Sequence, residues 1–292
     1  MIEEVTDMNL TTINLDRILR RGFWLLAAML LVVFAVIAVF PFIYMAIVSL
    51  MENSMSMKLT ANTLKNAQWG LGNFKKVFVT SNFSRYLLNS VIVSSSACIL
   101  SCLFSTMTAY VFAKKRFAGR DKLHWLFLAT MMVPGQCMII PMYLIIKNMN
   151  LVNTLAAMIL PSIAGAFGTT LMYSFMKNVP DELLEAADID GCGEIRKFIT
   201  IVLPLVKPAI LSLAIFTFIS SWGSLLWPLL TTTKLEMSTV TMAIAKMSGG
   251  EKATNFGYVM AGNTLGFLPP FILYCFLQKE FVEGIALSGT KG

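Results

Sequence analysis

The groups able to do chemistry on a ligand are few, and their spacing decides against catalysis. A nucleotide cradle needs two glycines with four residues between them, then Lys and Ser or Thr, with a helix N-terminus facing the phosphate. The nearest stretch runs from Gly284 to Gly289 and continues Thr290-Lys291, with the last two residues in the wrong order. The single histidine, His124, sits at the edge of an apolar run and reads as an interfacial residue rather than a base. Asp188 and Asp190 lie close together but have no histidine near them in sequence. Cys98 and Cys102 share a helix face at i, i+4, a spacing that could suit a metal, yet no His, Asp or Glu nearby completes a ligand set. The five cysteines include no C-x-x-C and read as small apolar residues. The expectation is a non-enzymatic chain that binds no metal, nucleotide or cofactor of its own.

Uncharged polar groups remain. Asn89, Ser90, Ser94, Ser95, Ser96, Ser101, Ser105 and Thr106 fall in one apolar run, and Ser220, Ser221, Trp222, Ser224 and Trp227 in another. Hydroxyl, amide and indole groups suit a neutral sugar, whose ring faces stack on aromatic planes. The same residues would also serve as hydrogen bonds between helices or as interfacial tryptophans, and both readings stay open.

The elements that must hold these groups are membrane spans. Of 292 residues, 57 % are hydrophobic and 13 % charged, against about 25 % charged in soluble domains. Spanning a hydrocarbon core takes roughly 20 apolar residues. Six runs qualify, at 23–50, 86–113, 123–146, 154–176, 208–230 and 256–277, and none contains Asp, Glu, Lys or Arg. One central charge costs about 2.5–3.5 kcal/mol on insertion, so six charge-free runs predict an all-α polytopic membrane protein. The first run is too long for a signal peptide and is read as a retained helix, kinked at Pro41. Residues 1–22 form a cytoplasmic segment and 23–292 the membrane domain. Pro134, Pro141, Pro161, Pro228, Pro269 and Pro270 interrupt the spans, as do Gly165 and Gly168, a pattern that favours a conduit. Gly257, Ala261, Gly262 and Gly266 permit close helix approach.

The net charge is +7. With no basic stretch interleaved with stacking aromatics outside the spans, this excess indicates cytoplasmic loops and excludes nucleic acid as a partner. The short loop 114–122 carries Lys114, Lys115, Arg116, Arg120 and Lys122. Placing it inside puts both termini in the cytoplasm.

The inner loop 177–207 is too long for a connector and too polar to span. Pro180 suits a first helical position, with Asp181 and Glu182 at the positive end of the helix dipole. Gly191 supplies a reversal at positive φ. A second helix is expected to place Ile195, Ile199 and Val202 on one face, with Pro204 and Pro208 ending it. An amphipathic pair of this kind lies on lipid or inserts into a groove on a soluble partner.

Within this loop Glu185-Ala186-Ala187, Gly191, Ile201 and Leu203-Pro204 meet every position of the E-A-A-x3-G-x9-I-x-L-P signature. The chain thereby resembles the permease subunits of bacterial ABC importers. Asn73-Phe74, Leu88-Asn89-Ser90, Ala109 to Ala113, Ile140 to Tyr143, Ala187 to Gly191 and Gly289 to Gly292 resemble the six-helix permease of maltose-type carbohydrate systems. The likeness runs from about Gly22 onward. It implies a type I importer permease in the bacterial inner membrane. The implied partners are a second permease in a heterodimer, two ATPase subunits holding ATP and Mg, and an extracellular substrate-binding protein. It also implies that Glu185, Ala186, Ala187 and Gly191 contact the ATPase, with Asp188, Asp190, Ile201, Leu203 and Pro204 in the same coupling segment. Asn89, Ser90, Ser94, Ser220, Ser221, Trp222 and Trp227 are the candidate substrate path, and loop 231–255 resembles the one that meets the binding protein. A non-sugar solute such as glycerol phosphate or a polyamine is the alternative. A secondary transporter would need intramembrane ionisable residues, which the spans lack.

Overall fold

Among the described residues, eighteen-residue stretches of mean hydropathy 1.4 to 3.0 fold into three unbroken helices long enough to cross a bilayer. The structure is a computed structural model and describes residues 2–54, 59–163, 165–249 and 255–289. In chain order the helices are α1 (Ile2–Ser49), α2 (Ala61–Lys65), α3 (Gly72–Ser81), α4 (Phe83–Lys114), α5 (Arg120–Thr130), α6 (Gly135–Asn148), α7 (Leu155–Ile159) and α8 (Ala166–Met176). There follow α9 (Asp181–Ile189), α10 (Glu194–Lys197), α11 (Leu203–Leu205), α12 (Lys207–Gly223), α13 (Leu226–Thr231), α14 (Val240–Gly249) and α15 (Phe256–Gly289). Among the described residues there is no strand, only an isolated bridge between Met51 and Trp69.

The continuous spans are Gly22–Ser49 of α1, Phe83–Lys114, and Phe256–Lys279 of α15. Three bent pairs bring the number to six if each pair crosses once: α5 with α6 at 101°, the stretch from α7 to Ser162 with α8 at 42°, and Glu194–Leu205 with α12 at 79°. The run 123–146 is therefore not one straight rod. Pro134 lacks an N–H and holds its own ψ at 127°, which ends α5 and starts α6 in a new direction. The run 208–230 likewise divides, α12 stopping at Gly223 and α13 resuming at Leu226. Other prolines do not break their helices: Pro41 lies inside α1, Pro141 inside α6, and Pro269 and Pro270 inside α15.

Small residues set the closest approaches. Ala97, Ser101, Ser105 and Ala109 repeat every four residues along α4 and are all buried. On α8, a Cβ added to Gly168 would lie 2.6 Å from Ser105 Oγ. The small residues of α15 serve two neighbours within the chain. A Cβ on Gly257 would meet the Met51 carbonyl oxygen at 2.3 Å, and one on Gly266 would meet Ile244 Cδ1 of α14 at 2.6 Å.

Two apolar clusters hold the bundle. One joins Tyr86, Phe218, Trp222, Val240 and Tyr258. The other joins Tyr110, Met172, Met176, Leu184, Val202 and Leu213 at the end of the bundle that carries the basic loop. Cys102 belongs to the second cluster, whereas Cys137 and Cys275 are exposed on the outside of the chain rather than buried.

Candidate functional site

At the basic end, α9 builds a free tip. Pro180 is the residue before the helix, in extended conformation, rather than its first residue. The helix ends in a Schellman turn: the Cys192 N–H donates to the Ala187 carbonyl at 2.9 Å and the Gly191 N–H to the Asp188 carbonyl at 3.0 Å. Gly191 takes φ +72°, where a side chain is strained. Glu185, Ala186, Ile189 and Asp190 are exposed on this tip, Ile189 at 89 %.

Of the remaining E-A-A-x3-G residues Ala187 is buried, while Asp188 stays exposed and is held by an ion pair. Ala187 is 5 % exposed and Leu184 8 %, so the Ala187 side chain is not on the free surface. Asp188 is tied to Lys197 at 2.5 Å. Ile201 packs into the basic-end cluster. Leu203 and Pro204 form the turn α11 that leads through the 79° bend into α12. The expected common face of Ile195, Ile199 and Val202 does not form. Ile195 and Ile199 are exposed at 76 % and 54 %, while Val202 is fully buried. The cause is a π-helical turn at Phe198–Val202, closed by the Leu203 N–H on the Phe198 carbonyl, which adds a residue to the turn and rotates all that follows.

Electrostatics tighten this end. Glu194 pairs with Lys115 and with Lys197, and accepts the Tyr110 hydroxyl at 3.0 Å. Lys115 first, then Lys197, pulls its carboxyl down to about 2. The Lys114 ammonium beside Asp181, at 2.6 Å, lowers that carboxyl as well.

Further along the bundle, α4, α8, α12, α13 and the stretch from α7 to Ser162 line a partly open cavity of about 470 Å³. Ser101, Ser162, Thr217, Ser220, Ser221 and Ser224 offer hydroxyls, Trp227 offers an indole, and none of the sixteen lining residues is ionisable. Of the expected path residues, Ser220, Ser221 and Trp227 line it. The Trp227 ring is held by its Nε1–H on the Ala157 carbonyl at 3.0 Å.

Four expected path residues do other work or lie elsewhere. Asn89 Nδ2 donates to the carbonyls of Glu236 at 2.7 Å and Ser238 at 3.0 Å. The Ser90 hydroxyl accepts the Val240 N–H at 2.8 Å. Trp222 stacks on Phe218 and donates to the Gly266 carbonyl, inside the first cluster. Ser94 is buried away from the lining, its hydroxyl without a partner. Sequence reasoning passed over Thr217, although it shares a helix face with Ser220 and Ser221. It also passed over Asn153, whose positive φ of 65° and Oδ1 contacts with Thr233 and Lys234 pin the segment after α13. Residues 250–254 of the 231–255 loop, and 290–292 of the resembling terminus, lie outside the described residues.

Residues 101–282 match the family described as the binding-protein-dependent transport system inner membrane component. The chain belongs to that family. The permease is 32 % identical over 265 residues to the arabinooligosaccharides transport system permease protein AraQ of Halalkalibacterium halodurans, covering 88 % of this chain and 93 % of that one. It is 33 % identical over 276 residues to the sn-glycerol-3-phosphate transport system permease protein UgpE of Salmonella typhi, covering 92 % and 98 %. Its fold superposes with a TM-score of 0.80 on a chain of a bacterial ABC transporter involved in the import of the acidic polysaccharide alginate. That match has 22 % identity over 89 % of this permease and 97 % of that chain. The permease is thus the membrane-embedded, non-catalytic part of an ABC importer.

Proposed function

We propose that this permease forms half of an uptake path for a neutral sugar or oligosaccharide, with the tip of α9 as the surface on which a separate ATPase docks. The reading rests on one observation above all: an exposed, small-residue tip bearing the E-A-A-x3-G motif stands at the basic end of a bundle whose cavity holds hydroxyls and an indole but no charge. The distribution of Lys and Arg supports a cytoplasmic basic end, with both termini inside. The ATPase pair carries ATP and Mg. A second permease completes the path as a heterodimer, and an external binding protein delivers the solute. Docking uses Glu185, Ala186, Ile189 and Asp190, and Gly191 holds the tip in its turn.

The likeness to UgpE supports a second reading, sn-glycerol 3-phosphate. A phosphate needs cations or a row of N–H donors, and the cavity supplies no cation, so the neutral solute is preferred. The test has two arms. Affinity purification in mild detergent should recover an ATPase and a second permease, and Glu185→Lys should lose the ATPase while remaining in the membrane. Uptake of radiolabelled arabinotriose against sn-glycerol 3-phosphate then separates the solutes. An ATPase retained by Glu185→Lys at wild-type yield would refute docking at α9.

A further inference from the structure

Lys197 is one of the largest fully buried side chains, 2 % exposed, and the docking surface makes no use of it. An unpaired ammonium in that position would be costly, so its partners matter. Its Nζ lies 2.5 Å from Asp188 Oδ1 on α9 and 2.7 Å from Glu194 Oε1 on its own helix. The other Glu194 oxygen accepts from Tyr110 and pairs with Lys115, both at one end of α4. The start of α9 is fastened to the same place. Lys114 Nζ donates to Asp181 Oδ1 at 2.6 Å and to the Val179 carbonyl at 2.5 Å, and its side chain is only 4 % exposed. Both ends of the nine-residue helix α9 are thus tied, directly or through Lys197, to residues 110–115.

The helix that receives these ties is continuous for 32 residues. Its middle lines the cavity at Ser101, and its far end grips the 236–240 segment through Asn89 and Ser90. Neighbouring spans are bent, by 42° into α8 and by 79° into α12. Apolar contacts such as that of Tyr110 with Phe198, 5.2 Å between ring centres, resist separation but tolerate sliding. Charge-assisted hydrogen bonds add direction, and removing Lys197 would leave the Asp188 and Glu194 carboxylates, 60 % and 54 % exposed, to solvent and untied from one another.

We propose that α9 and α4 are locked into one rigid body by the Lys197–Glu194 relay, and that Lys197 is a positioning residue carrying motion imposed on the α9 tip to the cavity and the gripped segment. The proposal rests on ATPase docking at α9.

The test measures a distance within this chain, in the whole purified assembly. Spin labels go on Glu182→Cys of α9 and Leu88→Cys of α4, with the native cysteines replaced. Wild type should give a single narrow distribution whose centre moves by less than about 2 Å between the nucleotide-free and the Mg-ATP-vanadate states. Lys197→Met, which keeps the unbranched stem and removes the charge, should broaden or split it. Glu194→Gln cuts the same relay from a half-exposed position and is made in parallel, should Lys197→Met not assemble. A wild-type distance that changes with nucleotide, or a variant as narrow as wild type, would overturn the proposal. ATPase recovery in Glu185→Lys, read from a separate preparation, reports on docking alone and keeps the two failures apart.

Discussion

Asn89 offers the sharpest test of how this permease is built, because a clamp and a sugar contact answer differently to the same two substitutions. Its amide nitrogen, in a side chain 1 % exposed, satisfies the carbonyls of Glu236 and Ser238. Each such bond contributes about 1 kcal/mol, and a buried carbonyl left dry costs about 1–3 kcal/mol. Asn89→Ala should therefore loosen the 235–240 segment by about 2–3 kcal/mol, which raises local amide exchange roughly 30- to 150-fold. Asn89→Asp keeps the shape but turns the donor into an oxygen facing two carbonyl oxygens, so it should loosen the segment more than Ala does. The assay is amide hydrogen exchange by mass spectrometry on the detergent-solubilised assembly, following Ser238 and Val240, whose N–H groups are hydrogen-bonded to Leu235 and Ser90. If Asp is milder than Ala, or if exchange stays at the wild-type rate while only uptake affinity shifts, the clamp is refuted and Asn89 returns to the substrate path.

Gly257→Ala should destabilise the assembly by about 1–3 kcal/mol, since the new methyl would stand 2.3 Å from a backbone carbonyl that no rotamer change can move; a melting temperature equal to wild type would contradict this. Gly191→Pro should abolish uptake with the protein still in the membrane, because φ +72° is closed to proline; wild-type uptake would remove the turn from the mechanism. For Glu194, the folded carboxyl is held at about 2, below its ordinary 4.5. Its contribution is present in full above the ordinary value and is lost as pH falls through the folded one. The Glu182–Leu88 label distribution should thus stay unchanged from neutral pH down to about 5 and broaden only towards pH 2; broadening already at pH 6 would contradict the pairing.

What could be read from residues alone was whatever depends on composition or on a few neighbours. The membrane class followed from six charge-free runs, because insertion free energies add residue by residue. The turn at Gly191 followed from a helix pattern meeting a glycine, a local event. The docking motif was legible because its pattern is contiguous, although its spacing could not say that Ala187 is buried and Asp188 pairs with Lys197 while Ile189 turns out. Tertiary structure decided the rest. Asn89 and Ser90 find partners 147 to 150 positions away, and no local pattern reports a contact of that separation. Trp222 and Trp227 are five residues apart, yet one is core and the other cavity wall, because the helix breaks between them. The π-turn at Phe198–Val202 separated Ile195 from Val202, since a periodicity argument assumes 3.6 residues in every turn and this turn holds more. A side chain's chemistry is written in its own residue, but the direction in which it points is set by the helix geometry between it and its neighbours, and that geometry forms only when the bundle does.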